Sequence, residues 1–430
     1  MSNPEGSLVD RYKAILVSCL IVLLIAGAII LLAAPNIPYI AGDAHHYVRL
    51  AEQGPAGIPR PHSTRIALPY LVKLLNHILP THEAFLFIAV CSLLCFIFCV
   101  KHILSIYNIP TSVIIAILIN PLMVYYFRQY YIPDLFYMAI LSIYLTMIFS
   151  NKQLIGSVVL FILFMTRETT IFLGITVLII SFIYNRRNQL VFTSIAMTLG
   201  LSGVMMLNKF SGSNIWGLSE TLYLLFKIPY ATLRNLAGIN LVTNVVTFCE
   251  PVWKINLPQS LQFGGINTVG ICRWEPEQIL STISFSLIEF GIGPTILMAY
   301  FKKCRSSLAD KDDWLKVAFF YGLIIFLVSY IISIDKARVI GYGWPLYWLA
   351  IPVLLTLEKS YEINLIAKPL IIINVVVTWV GAVIIQSNEI LSLHNNILML
   401  ELLAITLCLT MHLAAWKTLH KSRFLFPGRK

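Results

Sequence analysis

The sequence predicts an all-α polytopic membrane protein of about 12 transmembrane helices, with no soluble catalytic domain. Hydrophobic residues make up 58% of its 430 residues, and charged residues only 12%, whereas about a quarter of a typical soluble domain is charged. Apolar runs of about 20 residues recur along the chain, and each is long enough to cross a hydrocarbon core of roughly 30 Å. We therefore expect a single integral membrane domain over residues 1–430, in which an active site must be built from helix ends and loops.

The spans follow from hydropathy, with a mean hydropathy of +0.81 over the chain. The first span follows Arg11 and Lys13, and we interpret it as a retained anchor. The net charge is +11, but lysine and arginine cluster in the predicted inner loops, as in the positive-inside pattern, so the charge does not indicate nucleic-acid binding. Both termini are then predicted to be cytoplasmic. The predicted spans lie near 13–34, 82–106, 111–127, 133–150, 154–166, 169–184, 189–207, 278–300, 314–334, 343–357, 364–386 and 396–416.

Two predicted outer segments are longer than simple helix connections. The first, 35–81, contains the stretch Ile66 to Leu79, which is apolar at helical spacing but too short to cross, so we expect an interfacial helix. The second, 208–277, is rich in aromatic residues and proline, and we expect an ordered cap. Its Cys249 and Cys272 predict a disulfide, the alternative being two free thiols. Such a bridge would stabilise the segment by roughly 3 kcal/mol.

Ionisable residues gather at the predicted outer ends of the spans. Charged groups at membrane depth are costly, so they usually line a cavity or pair with one another. Two interpretations stay open: a functional site, or ion pairs that only hold the outer helix ends together. The residues concerned are Asp43, Arg65, Arg128, Asp134, Arg167, Glu168, Asp335 and Arg338.

Some of these residues have simpler explanations than a functional one. Asp134 follows Pro133 at the start of a predicted span, where an acid is favoured as a helix cap. Arg167 could bind a phosphate with two parallel hydrogen bonds, or it could pair with a neighbouring acid. An interfacial aromatic belt explains Trp344 and Trp348, but it does not explain Arg338, which we interpret as functional.

The pattern GDAHHY (Gly42 to Tyr47), followed by PHSTRIALPY (Pro61 to Tyr70), resembles the first external loop of a known enzyme class. An acid near the start of this loop, an interfacial helix and about a dozen spans resemble the GT-C class of membrane glycosyltransferases, in particular its multispanning bacterial members. In size and composition the chain is also similar to bacterial glucosyltransferases that modify O-antigen.

The resemblance implies an inverting transfer of a sugar from a polyprenyl-phosphate carrier to a lipid-linked or surface glycan acceptor. The site would face the periplasm from a bacterial inner membrane, and no cofactor would be required. Asp43 would be the general base, and Arg65, Arg167 and Arg338 would bind the donor phosphate. Further substrate-binding residues would be His46, Tyr47, Asp134, Glu168, Asp335 and Tyr342.

A metal site is not expected. Many class members carry a second acid in the first loop, but here the nearest candidate is Glu52, which is poorly placed. Asp43, His45 and His46 are close in sequence, yet their spacing matches no established ligand pattern, and interfacial hydrogen bonding explains the histidines equally well.

Other functions remain open at this point. An O-antigen polymerase or ligase would also use outer arginines and a large external loop. A transporter or flippase for polysaccharide or lipid carrier would place polar groups near the bilayer midplane, often at broken helices within repeats. The sequence has no convincing internal repeat, and its charges lie at span ends, which favours the transferase. A purely structural membrane protein is the third alternative.

Overall fold

The computed structural model describes residues 8–33, 43–211, 220–247, 249–262, 265–290, 312–333 and 336–357, and a few isolated positions elsewhere. These residues are mainly helical. The helices are α1 (Leu8–Ala33), α2 (Ala44–Gln53), α3 (Ala67–Leu75), α4 (Thr81–Ile106), α5 (Thr111–Leu118), α6 (Pro121–Arg128), α7 (Asp134–Phe149), α8 (Gln153–Phe164), α9 (Thr170–Ile183), α10 (Arg187–Asn208), α11 (Glu220–Ala237), α12 (Pro276–Phe290), α13 (Asp313–Ile332), α14 (Lys336–Ile340) and α15 (Ile351–Leu357).

Four of the described helices are long and apolar enough to cross a membrane, which is consistent with a membrane protein. They are Ile15–Ala33 within α1, α4, α10 and α13. The pair α5 and α6 gives a fifth candidate if the two are counted as one span with a 44° bend, and α7, α8 and α9 are shorter apolar helices. The expected number of about 12 is therefore not confirmed. The predicted spans 364–386 and 396–416 fall almost entirely outside the described residues.

Three helices end on asparagine at one end of the bundle. Asn108, Asn151 and Asn185 follow α4, α7 and α9 in the left-handed conformation, with φ of 56°, 54° and 55°. In each case the next residue donates its backbone N–H to the carbonyl five residues earlier, which closes the helix end. Arg186 donates to Asp313 there, with 2.7 Å between Nε and Oδ2.

A small antiparallel sheet lies within the predicted cap. Its strands β1 (Leu241–Thr243), β2 (Trp253–Asn256) and β3 (Thr268–Ile271) pair in the order β1–β3–β2. A disulfide joins Cys249 to Cys272, with 6.1 Å between their Cα atoms. The expectation of an all-α chain is wrong for this segment, because strands of three or four residues are too short to show the alternation that predicts a strand.

Two contacts fix the elements that carry the site. The backbone N–H of Ala67, at the start of α3, donates to the carbonyl of Met165 between α8 and α9 (3.1 Å). The Asn235 side chain on α11 donates to the carbonyls of Tyr330 and Ser333 at the end of α13, at 3.0 and 2.8 Å. These bonds hold the outer elements α3 and α11 against the helix bundle.

Candidate active site

Most of the ionisable residues singled out from the sequence meet at one end of the bundle, although they come from separate parts of the chain. α7 and α9 begin at this end and close on their asparagines at the other. The contributing positions are Asp43 immediately before α2, Arg65 after the 3₁₀ turn His62–Thr64, Asp134 as the first residue of α7, Arg167 and Glu168 between α8 and α9, and Arg338 in α14.

Asp134 is the buried centre of this group, with a side chain only 3% exposed. Arg338 donates from Nε to Oδ2 at 2.7 Å, and Arg167 and Tyr342 both donate to Oδ1. Asp134 lies in the first turn of α7, directly after the N-cap Pro133, where the helix dipole favours an acid. In addition, this carboxylate neutralises two guanidinium groups inside the protein.

Arg338 connects the buried centre to the surface. Its Nη1 donates to Oδ2 of Asp43 at 2.9 Å, and its backbone carbonyl accepts a bond from the Tyr126 hydroxyl at 2.6 Å. The side chain of Asp43 is 38% exposed. Partial burial raises the pKa of Asp43, but the charges of Arg338 and Arg65 outweigh this effect, so its pKa lies below the usual value. Asp43 is thus an ionised and accessible carboxylate.

A second ion pair lies beside the first. Arg65 donates from Nε to both oxygens of Glu168 at 3.2 Å and from Nη2 to Oε1 at 2.8 Å, while its Nη1 donates to the Tyr47 hydroxyl at 2.9 Å. Burial raises the pKa of Glu168, but the charge and hydrogen bonds of Arg65 outweigh this and hold the pKa at about 2. The Glu168 side chain is 41% exposed, so the pair reaches the surface.

Arg167 keeps one unused donor within the described structure. Its guanidinium carbon lies 5.3 Å from the ring centroid of Tyr342. The buried Nε has no hydrogen-bond partner among the described residues. A buried N–H of this kind usually has a partner in the functional state, which makes Arg167 a natural ligand for an additional anion.

Lys227 on α11 is a site residue that the sequence analysis missed. Its charge interacts with those of Glu168, Arg65 and Arg167, and its Nζ lies 5.2 Å from the ring centroid of Tyr223. Burial lowers the pKa of Lys227, and the two arginines lower it further. A signal was present, because Lys227 is the only charged residue between positions 220 and 234.

The remaining predicted residues divide between the interior, the surface and the undescribed part of the chain. Tyr47 and Tyr342 are fully buried and bind Arg65 and Asp134, so in this conformation they support charged groups rather than face a ligand. His46 stacks on His62, with ring centroids 4.6 Å apart. Asp335 lies outside the described residues.

The seven charged residues of the site do not balance. Among the described residues, Arg65, Arg167, Lys227 and Arg338 lie with three carboxylates, an excess of one cation over the acids. Over the described residues, no cluster of three or more histidine, cysteine, aspartate or glutamate side chains is placed to hold a metal ion. The arrangement can accept a singly charged anion beside an accessible carboxylate that can take up a proton.

Comparisons with known proteins add no family to this picture. A scan against protein-family models, a search of curated proteins and a search of solved structures each found no match to this chain.

Proposed function

We propose that this protein is an inverting membrane glycosyltransferase, which moves a sugar from a polyprenyl-phosphate carrier to a lipid-linked or surface glycan acceptor. The observation that carries the proposal is the 2.9 Å contact between Asp43 and Arg338, which puts an accessible carboxylate beside a cation-rich group. This reaction requires a carboxylate that acts as a base and cations that bind the departing phosphate. We place the site at the periplasmic face of a bacterial inner membrane.

In the proposed reaction, Asp43 takes the proton of the acceptor hydroxyl as that oxygen attacks the anomeric carbon. The new bond joins acceptor oxygen to sugar carbon. The bond from that carbon to the phosphate oxygen breaks, and its electron pair leaves with the phosphate. General-base catalysis of this kind contributes typically 10²–10⁴-fold to the rate.

The arginines would stabilise the departing phosphate. Arg338 holds Asp43 in the structure described, and a bound phosphate would compete for the same guanidinium and free the carboxylate to act as a base. The unpaired Nε of Arg167 supplies a further donor. Preorganised donors directed at developing negative charge are often the largest contribution to catalysis.

The charge balance favours a monophosphate-linked donor. A sugar on a polyprenyl phosphate is a phosphodiester with one negative charge, whereas a diphosphate-linked sugar carries two. The excess of one cation among the described residues of the site matches the former. Lys227 then has a role, because without it the three described arginines and three described carboxylates would cancel.

The test is sugar transfer by the purified protein in lipid nanodiscs. Radiolabelled polyprenyl-phosphate sugars and polyprenyl-diphosphate sugars are each supplied with lipid-linked glycan acceptors, and the product anomer is determined by NMR. We expect transfer from the monophosphate donors with inversion. Transfer of an oligosaccharide from a diphosphate donor would instead identify a polymerase or ligase.

One observation favours a second candidate, a transporter for a lipid-linked saccharide. α5 and α6 form a bent pair, and Asn120 at the break donates to the backbone carbonyl of the buried Glu289 at 3.1 Å. Broken helices with polar groups are typical of transporter binding sites. Movement of a fluorescent polyprenyl-linked sugar between leaflets of proteoliposomes, without acceptor glycosylation, would support this function and exclude the transferase.

A further inference from the structure

His62 lies between the carboxylate of Asp43 and the hydroxyl of Tyr47, and nothing above gives it a role. Its Nδ1 is 3.3 Å from the Tyr47 hydroxyl, and its Nε2 is 3.8 Å from Oδ1 of Asp43. The ring is almost completely buried and stacks on His46. The 3₁₀ turn His62–Thr64, directly before Arg65, sets the position of the ring.

The hydrogen bonds around Tyr47 determine which nitrogen of His62 carries the proton. Arg65 donates to the Tyr47 oxygen from Nη1 at 2.9 Å, and a guanidinium can only donate. Of the two His62 tautomers, the one that accepts the Tyr47 O–H at Nδ1 gives this hydroxyl one donated and one accepted hydrogen bond, and we take this tautomer for His62. A neutral imidazole that accepts at Nδ1 carries its hydrogen on Nε2, and Nε2 is the nitrogen that faces Asp43.

The surroundings of His62 keep the ring neutral. Burial lowers its pKa, and Arg65, His46 and Arg338 add to this, while Asp43 acts in the opposite direction; the resulting pKa is about 3. The hydrogen bonds therefore all run in one direction: Arg65 donates to Tyr47, Tyr47 donates to His62, and the Nε2–H of His62 faces Asp43. This series of hydrogen bonds links the Arg65–Glu168 ion pair to the proposed base.

We propose that His62 is a positioning residue, whose Nε2–H holds Oδ1 of the Asp43 carboxylate, the oxygen that Arg338 does not contact, so that Asp43 stays in place when the phosphate binds Arg338. This proposal rests on the proposed function only in that Asp43 is taken to be the catalytic base. The present 3.8 Å separation is longer than a hydrogen bond, as is common for catalytic contacts before substrate binds. His62 keeps its proton throughout, and the acceptor proton goes to Asp43.

The test measures the titration of Asp43 directly and needs no enzymatic activity. The purified full-length protein in nanodiscs is treated with a carbodiimide and an amine over a range of pH, since carbodiimides react with protonated carboxyl groups. Labelling at Asp43 is quantified by peptide mass spectrometry. Glu52, an exposed acid on the adjoining helix α2, is the internal control.

Four proteins are compared: the wild type, His62→Gln, His62→Asn and His62→Phe. The glutamine amide places an N–H near the position of Nε2, asparagine places one near Nδ1, and phenylalanine has neither. We expect the labelling midpoint of Asp43 to be the same in the wild type and His62→Gln, and to rise by about one pH unit in His62→Asn and His62→Phe. An unchanged Asp43 midpoint in all four proteins would overturn the proposal.

A further variant provides the test if the His62 variants do not fold. Tyr47→Phe keeps His62 but removes the hydroxyl that fixes its tautomer, and we expect a smaller upward shift of the Asp43 midpoint. If neither His62→Asn nor His62→Phe folds, absence of a shift in Tyr47→Phe overturns the proposal. Sugar transfer is then measured on the same variants, and His62→Gln should retain most of the wild-type kcat. A midpoint shift without any transfer by the wild type would reject the proposed function while supporting the role of His62.

Discussion

Replacing Asp134 by asparagine removes one charge from the middle of the buried ion network and nearly preserves the shape of the side chain. In the native protein this carboxylate accepts from Arg167, Arg338 and Tyr342, and it is almost completely buried. Breaking a buried pair by removing one partner costs about 3–5 kcal/mol, because the other charge stays buried without compensation. Arg338 still has Asp43, so Arg167 bears most of the loss.

The assay is the free energy of unfolding in mixed micelles, with Glu52→Gln as the control. Glu52 is also an acid replaced by its amide, but it is exposed on α2, and surface substitutions of this kind usually change stability by less than about 0.5 kcal/mol. We expect Asp134→Asn to be destabilised by about 3 kcal/mol or more, and Glu52→Gln by less than about 0.5 kcal/mol.

A double variant tests the physical reason. If the cost of Asp134→Asn comes from an uncompensated Arg167, then adding Arg167→Gln should make the double variant less destabilised than the sum of the two single variants. Equal stability of Asp134→Asn and Glu52→Gln, or strict additivity in the double variant, would refute this description of the network.

Three further predictions follow from the same structure. Lys227→Ala should raise the KM for the donor about tenfold with little change in kcat, because it removes the excess positive charge, whereas Lys254→Ala on the exposed strand β2 should change neither; steady-state kinetics measures both. The free energy of unfolding should fall as the pH drops below 6.5, by up to about 1.4 kcal/mol per pH unit for His62 alone, because the pKa of His62 is lowered to about 3 in the folded state and the unfolded chain binds the proton first. His62→Gln should reduce the slope between pH 6.5 and 4.5, above the range in which Glu168 and Asp43 add to it. Cys249→Ser should destabilise the β1–β3–β2 sheet by about 3 kcal/mol, which local hydrogen exchange would detect while α4 and α13 keep their protection.

The helices could be predicted well from the sequence, because hydropathy and flanking polar residues locate them directly. The predicted spans 82–106 and 189–207 differ by only one or two residues at each end from Thr81–Ile106 and Arg187–Asn208. The predicted span 111–127 corresponds to two helices instead, because Pro121 starts a new helix that Asn120 caps. A break between two apolar helices has the same hydropathy as a continuous span, so hydropathy alone does not reveal it.

The candidate site could be predicted only as a set of residues at helix ends. Helix direction alternates along the chain, which is why Asp43, Asp134 and Arg167 could be assigned to one face. Their pairing could not be foreseen, because Arg338 meets Asp43 across 295 positions of sequence. Lys227 was missed since it lies on a short amphipathic helix inside a segment treated as one cap.

The central claim, that Asp43 is the base that accepts the proton of the acceptor, is tested most directly by the initial rate of sugar transfer in Asp43→Asn. Glu52→Gln is the matched control, since it neutralises an exposed acid on the adjoining helix α2. Both proteins are first shown to be folded by their elution profile and unfolding temperature. The account predicts a rate at least 10²-fold lower for Asp43→Asn and an unchanged rate for Glu52→Gln. A folded Asp43→Asn protein that transfers sugar at the wild-type rate would contradict it.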